Sequence, residues 1–237
     1  MRINTILTPL MVEELYFAGR ISVVIDVLRA TTTIVTAIKN GAKEIVPVGS
    51  LDFSKIASAS SFGGRTMRGG EKNSKKIEGF DLGNSPLEYS AEVVAGKSIV
   101  FFTTNGSKAI VKTKYGTGSF ICSFLNVSKV AEHVAGLGKD IDVICSGRNG
   151  DFSLEDTVCA GMLIDEVLKL GGDLELSDAS KVALDLYNKY GDDLAGLFAI
   201  SEFVLERSKG AACFVESGCL LGFFGAQPFH LGKELLL

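Results

Sequence analysis

The sequence predicts an α/β fold, a three-layer α/β/α arrangement around a largely parallel or mixed sheet. Three observations carry that expectation. Short runs rich in β-branched and aromatic residues alternate with segments whose apolar residues recur at helical spacing. The runs are apolar almost throughout, as strands covered on both faces require. Most of them end in a polar turn that starts a helix.

The first unit is the clearest. In ISVVIDVLRATTTIVTAIKN (Ile21 to Asn40), Ile21 to Ile25 is a buried strand that Asp26 interrupts. Arg29, Thr31, Thr32 and Thr33 follow, before a helix patterned on Ile34, Ala37 and Ile38. Glu44 to Val48 is a second short strand, and Asp52 to Ser60 a helix with an acid near its start. Ser61 to Phe80, rich in Gly, Ser, Lys and Arg, reads as a long loop with one short strand around Thr66 to Arg68. Long loops in compact domains often carry function. In DLGNSPLE (Asp81 to Glu88), Ser85 can cap, Pro86 suits the first helical position and Glu88 completes a capping box, so a helix is expected to open there.

The first pattern then recurs. Ser98 to Thr103 is a strand running into Thr104-Asn105-Gly106-Ser107 and a short helix over Lys108 to Lys112. Ser119 to Ser123 precedes an amphipathic helix at Val127 to Leu137. Asp140 to Cys145 precedes the loop Ser146 to Gly150, and Ser153 to Asp156 begins a helix that Gly171 and Gly172 terminate. Ser177 to Tyr190 is a further helix with Gly191 as its stop. Beyond Asp193 one more helix and irregular or strand segments around Cys213 to Val215 are expected.

At 237 residues the chain suits a single domain over 1–237, or two small lobes. Its 46% hydrophobic content and mean hydropathy of +0.29 provide a generous interior. No uncharged apolar run reaches the roughly 18 residues of a membrane span, and the N-terminal stretch lacks the apolar core of a signal peptide. Five cysteines, Cys122, Cys145, Cys159, Cys213 and Cys219, include no C-x-x-C pair, which suits reduced thiols and a cytoplasmic location. A net charge of −4 with scattered basic residues argues against a nucleic-acid partner. A homodimer is the default expectation for assembly.

Ligands in such folds bind outside the carboxyl ends of the strands. Asp26 with Arg29, Thr104 with Asn105, and Gly147 with Arg148 all lie just past strand ends, so they can share one cleft. Helix N-terminal N–H groups, a guanidinium and three threonine hydroxyls suit an anion such as phosphate. Asp26 in that company needs a cation between it and the phosphate, or must itself attack phosphorus. Both readings point to phosphoryl chemistry. Glu71, Asp81 and Glu155 with its neighbour Asp156 can bring further carboxylates, and Asn84 lies among backbone donors. An oxygen-rich set suits Mg2+, whereas His133 and His230 are too few and too distant in sequence for zinc.

Each of these residues also has a structural explanation. Asp26 can cap the following helix, Arg29 and Arg148 can form surface ion pairs, and Glu155 and Asp156 are favourable in any first helical turn. Glu71 and Asp81 occupy polar loops where solvated acids are common. Two other phosphatase types fit poorly. Only two residues separate Cys145 from Arg148, where cysteine phosphatases need five, and Asp26-Val27-Leu28-Arg29 lacks the second Asp of the haloacid dehalogenase pattern.

Taken together, IDVLRATTTI at Ile25 to Ile34, GFDLGNSP at Gly79 to Pro86, TTNGS at Thr103 to Ser107, and the segment from Gly147 through SLEDT to Thr157 resemble the 2-phosphosulfolactate phosphatase family. The resemblance implies a Mg2+-dependent hydrolase with an α/β/α fold that converts (2R)-2-phospho-3-sulfolactate and water to 3-sulfolactate and phosphate. It also implies a small anionic phosphate ester as partner and a place in coenzyme M biosynthesis. The chain departs from the family pattern at Lys72, where Arg is usual, and at Ser208-Lys209-Gly210.

The expected site therefore has Asp26 and Arg29 as catalytic groups, with Thr31, Thr32, Thr33, Asn84, Thr104, Asn105 and Arg148 holding substrate. Asp26, Glu71, Asp81 and Glu155 are expected to hold the metal. The alternatives are a phosphatase for another 2-hydroxy-acid phosphate and a non-catalytic anion-binding protein.

Overall fold

The computed structural model describes residues 1–54, 66–201 and 229–230. Two sheets share the described chain. The larger contains β1 (Arg2–Ile6), β2 (Ile21–Ile25), β7 (Gly118–Cys122), β8 (Ile141–Cys145), β9 (Glu175–Leu176) and β10 (Phe229–His230), in the order β10-β7-β2-β8-β1-β9. All neighbours run parallel except β10 against β7. The smaller contains β3 (Glu44–Pro47), β4 (Thr66–Lys72), β5 (Lys75–Lys76) and β6 (Ser98–Phe102), in the order β3-β6-β4-β5.

Burial of β2 on both faces follows from its sequence, because Val23 and Val24 point to opposite sides of the sheet and neither is exposed. On one side Ile21, Val23 and Ile25, with Phe120 and Val143, pack on α4 (Val127–Leu137), α5 (Leu154–Lys169) and α6 (Asp178–Tyr190). On the other, Val24, Ile121 and Ile144 pack on α1 (Ala30–Lys39) and α3 (Gly106–Lys112). That is the expected three-layer α/β/α arrangement. The smaller sheet then adds Ile45, Ile99 and Phe101 to the outer side of the α1/α3 layer.

This connectivity positions the site. The chain leaves the larger sheet at β2, passes through α1 to β3, and returns from β6 through α3 to β7. The exits of β2 and β6 therefore lie at the same end of the molecule. Gly106 seals the contact, since a Cβ there would collide with Asp26 Oδ2 and Ala30 Cβ.

The structure corrects several sequence expectations. Residues 66–72, expected as loop with a strand of three residues, form the seven-residue strand β4 paired parallel to β6. Gly69 and Gly70 lower strand propensity, but here they admit close neighbours: a Cβ on Gly70, which has φ +127°, would collide with the carbonyl of Phe102. Arg2–Ile6, not expected as a strand, lies between β8 and β9 with Ile3 opposite Ile141. The capping box at Ser85 does not form. Pro86–Glu88 is a single 3-10 turn, and the Glu88 carboxylate instead accepts from Gly83 N–H at 2.7 Å. Only the four residues Ala91–Val94 (α2) follow as helix.

The expected helix after Asp193 is α7 (Leu194–Ile200). Residues 51–54 are helical, whereas the rest of the helix expected to Ser60 and the segments around Cys213 to Val215 lie outside the described residues. Cys122, Cys145 and Cys159 are buried free thiols. Among the described residues no helix is long and apolar enough to cross a membrane.

Candidate active site

At the carboxyl ends of β2, β6 and β8 lies a cavity of about 200 Å³. Asp26, Arg29, Glu71, Asn84, Thr104, Asn105, Arg148 and Glu155 all line it, so the structure brings together eight of the expected residues from five separate stretches of chain. Asn73, Ser74, Asn149, Ser153 and Asp156 line it as well.

Asp26 follows directly on β2 and is buried. Its Oδ1 accepts from the N–H of Ala30 at 3.1 Å, and its carbonyl accepts from both the N–H and the hydroxyl of Thr31. The turn between β2 and α1 is thus built around this one residue. Threonine suits the turn because its hydroxyl reaches back to the local backbone. Thr32 Oγ1 likewise donates to Val27 O at 2.7 Å and Thr33 Oγ1 to Asn84 O at 3.2 Å. The three expected phosphate-binding hydroxyls are therefore engaged by backbone carbonyls, and none of these threonines lines the cavity.

Glu71 is the penultimate residue of β4. One carboxylate oxygen accepts from Thr104 N–H at 2.7 Å, and the other from the Thr104 hydroxyl at 3.1 Å and from Ser74 N–H. Glu71 so ties β4 to the exit of β6. Asp81, by contrast, is exposed, accepts from Arg68 N–H at 2.8 Å and stands outside the cavity. It braces the loop beside β4 and does not join the expected metal ligands.

Asp156, which the sequence offered only as a further carboxylate beside Glu155 and without a role, ties the site together. Its Oδ1 accepts from Val27 N–H at 2.8 Å and its Oδ2 from Gly147 N–H at 3.2 Å, so it joins the loops after β2 and β8. Ser153 caps α5 by accepting from Asp156 N–H. This places Glu155 and Asp156 in the buried first turn of α5. The signal was present in Ser153-Leu154-Glu155-Asp156, but first-turn acids are common enough to hide it.

The cavity is electrostatically crowded. Burial raises Asp26 to about 7; the N–H of Ala30 opposes that, the charges of Glu71 and Glu155 reinforce it, and Arg29 opposes it. Burial also holds Asp156 well above the ordinary carboxylate range, with Asp26 and Glu155 pushing the same way and the N–H groups of Val27 and Gly147 opposing. Near neutral pH Asp26 and Asp156 therefore both resist ionisation unless positive charge is added. Arg29 and Arg148, both half-buried, supply part of it.

Among the described residues, no group of three His, Cys, Asp or Glu side chains forms a ready metal cage. Mg2+ does not need one, because it keeps several waters and takes one or two carboxylates together with substrate phosphate oxygens. An all-oxygen donor set with excess negative charge fits that ion. Asp26, Glu71 and Glu155 are the residues here that would hold it.

Comparison with known proteins identifies the family. The profile of the family described as 2-phosphosulpholactate phosphatase matches residues 6–205. A protein of Caldanaerobacter subterraneus named "Probable 2-phosphosulfolactate phosphatase" is 44% identical over 73% of this chain and 71% of its own length. Proteins of the same name from Clostridium perfringens and Clostridium botulinum are 40% and 34% identical, over 79% and 100% of this chain and 76% and 99% of their own lengths. The matched span contains every residue that lines the cavity, and the chain belongs to the 2-phosphosulpholactate phosphatase family, a family of phosphoric monoester hydrolases.

Proposed function

We propose that the chain hydrolyses (2R)-2-phospho-3-sulfolactate to 3-sulfolactate and phosphate in a Mg2+-dependent reaction. The observation that carries this reading is the convergence of Asp26, Arg29, Glu71, Arg148 and Glu155 on one cavity between the strand exits of two sheets. The names of the relatives supply the substrate.

In this mechanism Arg29 and Arg148 hold anionic oxygens of the substrate, which guanidinium groups can do with paired donors. Asn105 and the buried amide of Asn84, whose Oδ1 has no partner among the described residues, orient the polar groups around the ester carbon. Glu71 keeps Thr104 fixed. Asp26 attacks phosphorus: a bond forms from its carboxylate oxygen as the ester P–O bond breaks, and the departing alkoxide takes a proton from water. A water molecule then cleaves the acyl phosphate, releasing phosphate and restoring the carboxylate. Bound Mg2+ would neutralise carboxylate and phosphoryl charge in the cavity.

The departure at Lys72 does not disturb this reading, because Lys72 is exposed and lies outside the cavity. Ser208-Lys209-Gly210 lies outside the described residues. The test is phosphate release from phosphosulfolactate, compared with phospholactate and phosphoglycolate. EDTA and Asp26→Asn are each expected to abolish it. Release that survives both treatments overturns the proposal, and failure to trap an acyl phosphate with hydroxylamine removes the attack by Asp26 and leaves it as a holder of the metal alone.

A further inference from the structure

Lys112 ends α3 half-buried, and its ammonium leaves its own helix to reach the loop that follows β1. Nζ donates to the carbonyls of Pro9 at 2.5 Å, Val12 at 2.9 Å and Leu10 at 3.4 Å. An ammonium has three protons and no acceptor, so three converging carbonyls use its full capacity. A cation in the last helical turn also favours the macrodipole, but a side chain pointing into solvent would serve that equally well. Here the turn from Pro9 to Val12, closed by Val12 N–H on Pro9 O at 3.1 Å, is folded around Nζ.

That turn reaches the active site through its neighbours. Thr8 Oγ1 donates to Gly150 O at 2.9 Å, and Leu10 packs so closely that a Cβ on Gly150 would lie 2.8 Å from its Cδ2. Gly150 belongs to the tip of a hairpin with Arg148 at its base. Arg148 N–H donates to Asp151 O at 2.9 Å and Asp151 N–H to Arg148 O at 2.8 Å, with Asn149 at φ +51° and Gly150 at φ +95° between them. Positive φ at both central residues is what a two-residue type I′ turn requires. So short a ribbon has little stability of its own, and outside contacts set its direction. Asp156 holds Gly147 N–H at the entry, and Asn105 Oδ1 holds Asn149 N–H at 3.2 Å. Thr8, on the turn that Lys112 grips, holds the tip by the carbonyl of Gly150. Arg148 lines the catalytic cavity, whereas Thr8 and Lys112 do not.

We propose that Lys112 is a positioning residue for the reaction: by gripping the Pro9–Val12 turn it holds Thr8 against the Arg148 hairpin, and so sets where the Arg148 guanidinium meets the substrate. The assignment rests on the reading above in which Arg148 binds anionic oxygens of the ester. It gives the first loop of the chain a role in a site that it does not line. Each link is a contact described here, from Nζ to the turn, from Thr8 to Gly150, and from Gly150 along the hairpin to Arg148.

The test is a double-mutant cycle on the full chain. Lys112→Met, which keeps the stem and removes the charge, is expected to raise KM for phosphosulfolactate roughly tenfold with a smaller change in kcat, because Arg148 contacts substrate in the ground and transition states alike. Lys112→Arg should retain most of the wild-type value. In an Arg148→Gln background Lys112→Met should change KM less than about twofold, since the group it positions is gone. Lys108→Ala, exposed and one turn earlier on the same helix, should match the wild type. An equal KM penalty with and without Arg148, or a Lys108→Ala effect as large as that of Lys112→Met, overturns the assignment. Hydrogen exchange supplies a readout that needs no turnover. The Asp151 amide should exchange roughly tenfold faster in Lys112→Met and in Thr8→Val, with the amides of β6 unchanged. An unchanged Asp151 amide, or an acceleration shared equally by β6, overturns the tether. Selective loss of Asp151 protection in a protein that hydrolyses no phosphosulfolactate refutes the ester reading alone and supports the tether.

Discussion

Asp156 receives the backbone N–H of Val27 on one carboxylate oxygen at 2.8 Å. The second oxygen receives Gly147 N–H, so one side chain from α5 fixes the loops that carry Arg29 and Arg148. Asp156→Ala strands two buried donors, each unfavourable by about 1–3 kcal/mol when unpaired. Thermal unfolding should show a lower Tm, and kinetics a fall in kcat beyond any change in KM. Asp156→Asn, which can accept only one of the two bonds, should fall between.

Asp26 makes stability depend on pH in the metal-free protein. Its folded value of about 7 lies above the ordinary carboxylate value of about 3.9. The native state therefore holds this proton more tightly than the unfolded chain. The stabilisation is fully present below pH 3.9 and is lost as pH rises through 7, by roughly 4 kcal/mol in all. Urea unfolding in EDTA at pH 5 and pH 8 should show that decline for the wild type and a much flatter profile for Asp26→Asn. The same variant should lose activity on the order of 1,000-fold or more, so a gain in stability above neutral pH would accompany the loss of turnover.

Gly106 admits no side chain. Its Cβ would meet Asp26 Oδ2 and Ala30 Cβ, one inside the site and the other on the facing helix. Gly106→Ala should destabilise by about 1–3 kcal/mol through overpacking. Because the displaced atom is a site carboxylate, activity should fall further than the change in Tm alone explains.

Addition of Mg2+ should raise Tm in a concentration-dependent way, by an amount equivalent to about 2.7 kcal/mol at 100 times its Kd, and EDTA should reverse it. Glu71→Gln should move that dependence to higher Mg2+. A Tm insensitive to Mg2+ would count against the assignment of Asp26, Glu71 and Glu155 as its holders.

The alternation of strands and helices was legible because buried parallel strands read as short, nearly continuous apolar runs, as β2, β6, β7 and β8 do. Division into two sheets was not, since pairing partners are set by crossovers that local pattern does not encode. β4 was hidden by glycines that look like loop punctuation until Tyr89 and the Phe102 backbone are seen packed on Gly69 and Gly70. Within the site, residues just past strand ends were found for a physical reason: that is where the fold opens. Thr31, Thr32 and Thr33 misled because hydroxyls that suit a phosphate suit a tight turn equally well. Asp156 was legible as a first-turn acid near the cleft but not as the tie between two loops, because its partners, Val27 and Gly147, are remote in sequence and offer only backbone.

The α1/α3 layer has a consequence for how this protein can vary. One half of the catalytic surface hangs from each sheet, with Glu71 and Thr104 on the smaller and Asp26 and Arg148 on the larger, so the layer between acts as a spacer that sets their separation. Trimming Ile34 or Ile110 changes the gauge of the cleft without touching a single polar group in it. Substitutions in that buried seam should therefore retune turnover at a distance, which makes it the place to look when two relatives with the same reactive residues differ in rate.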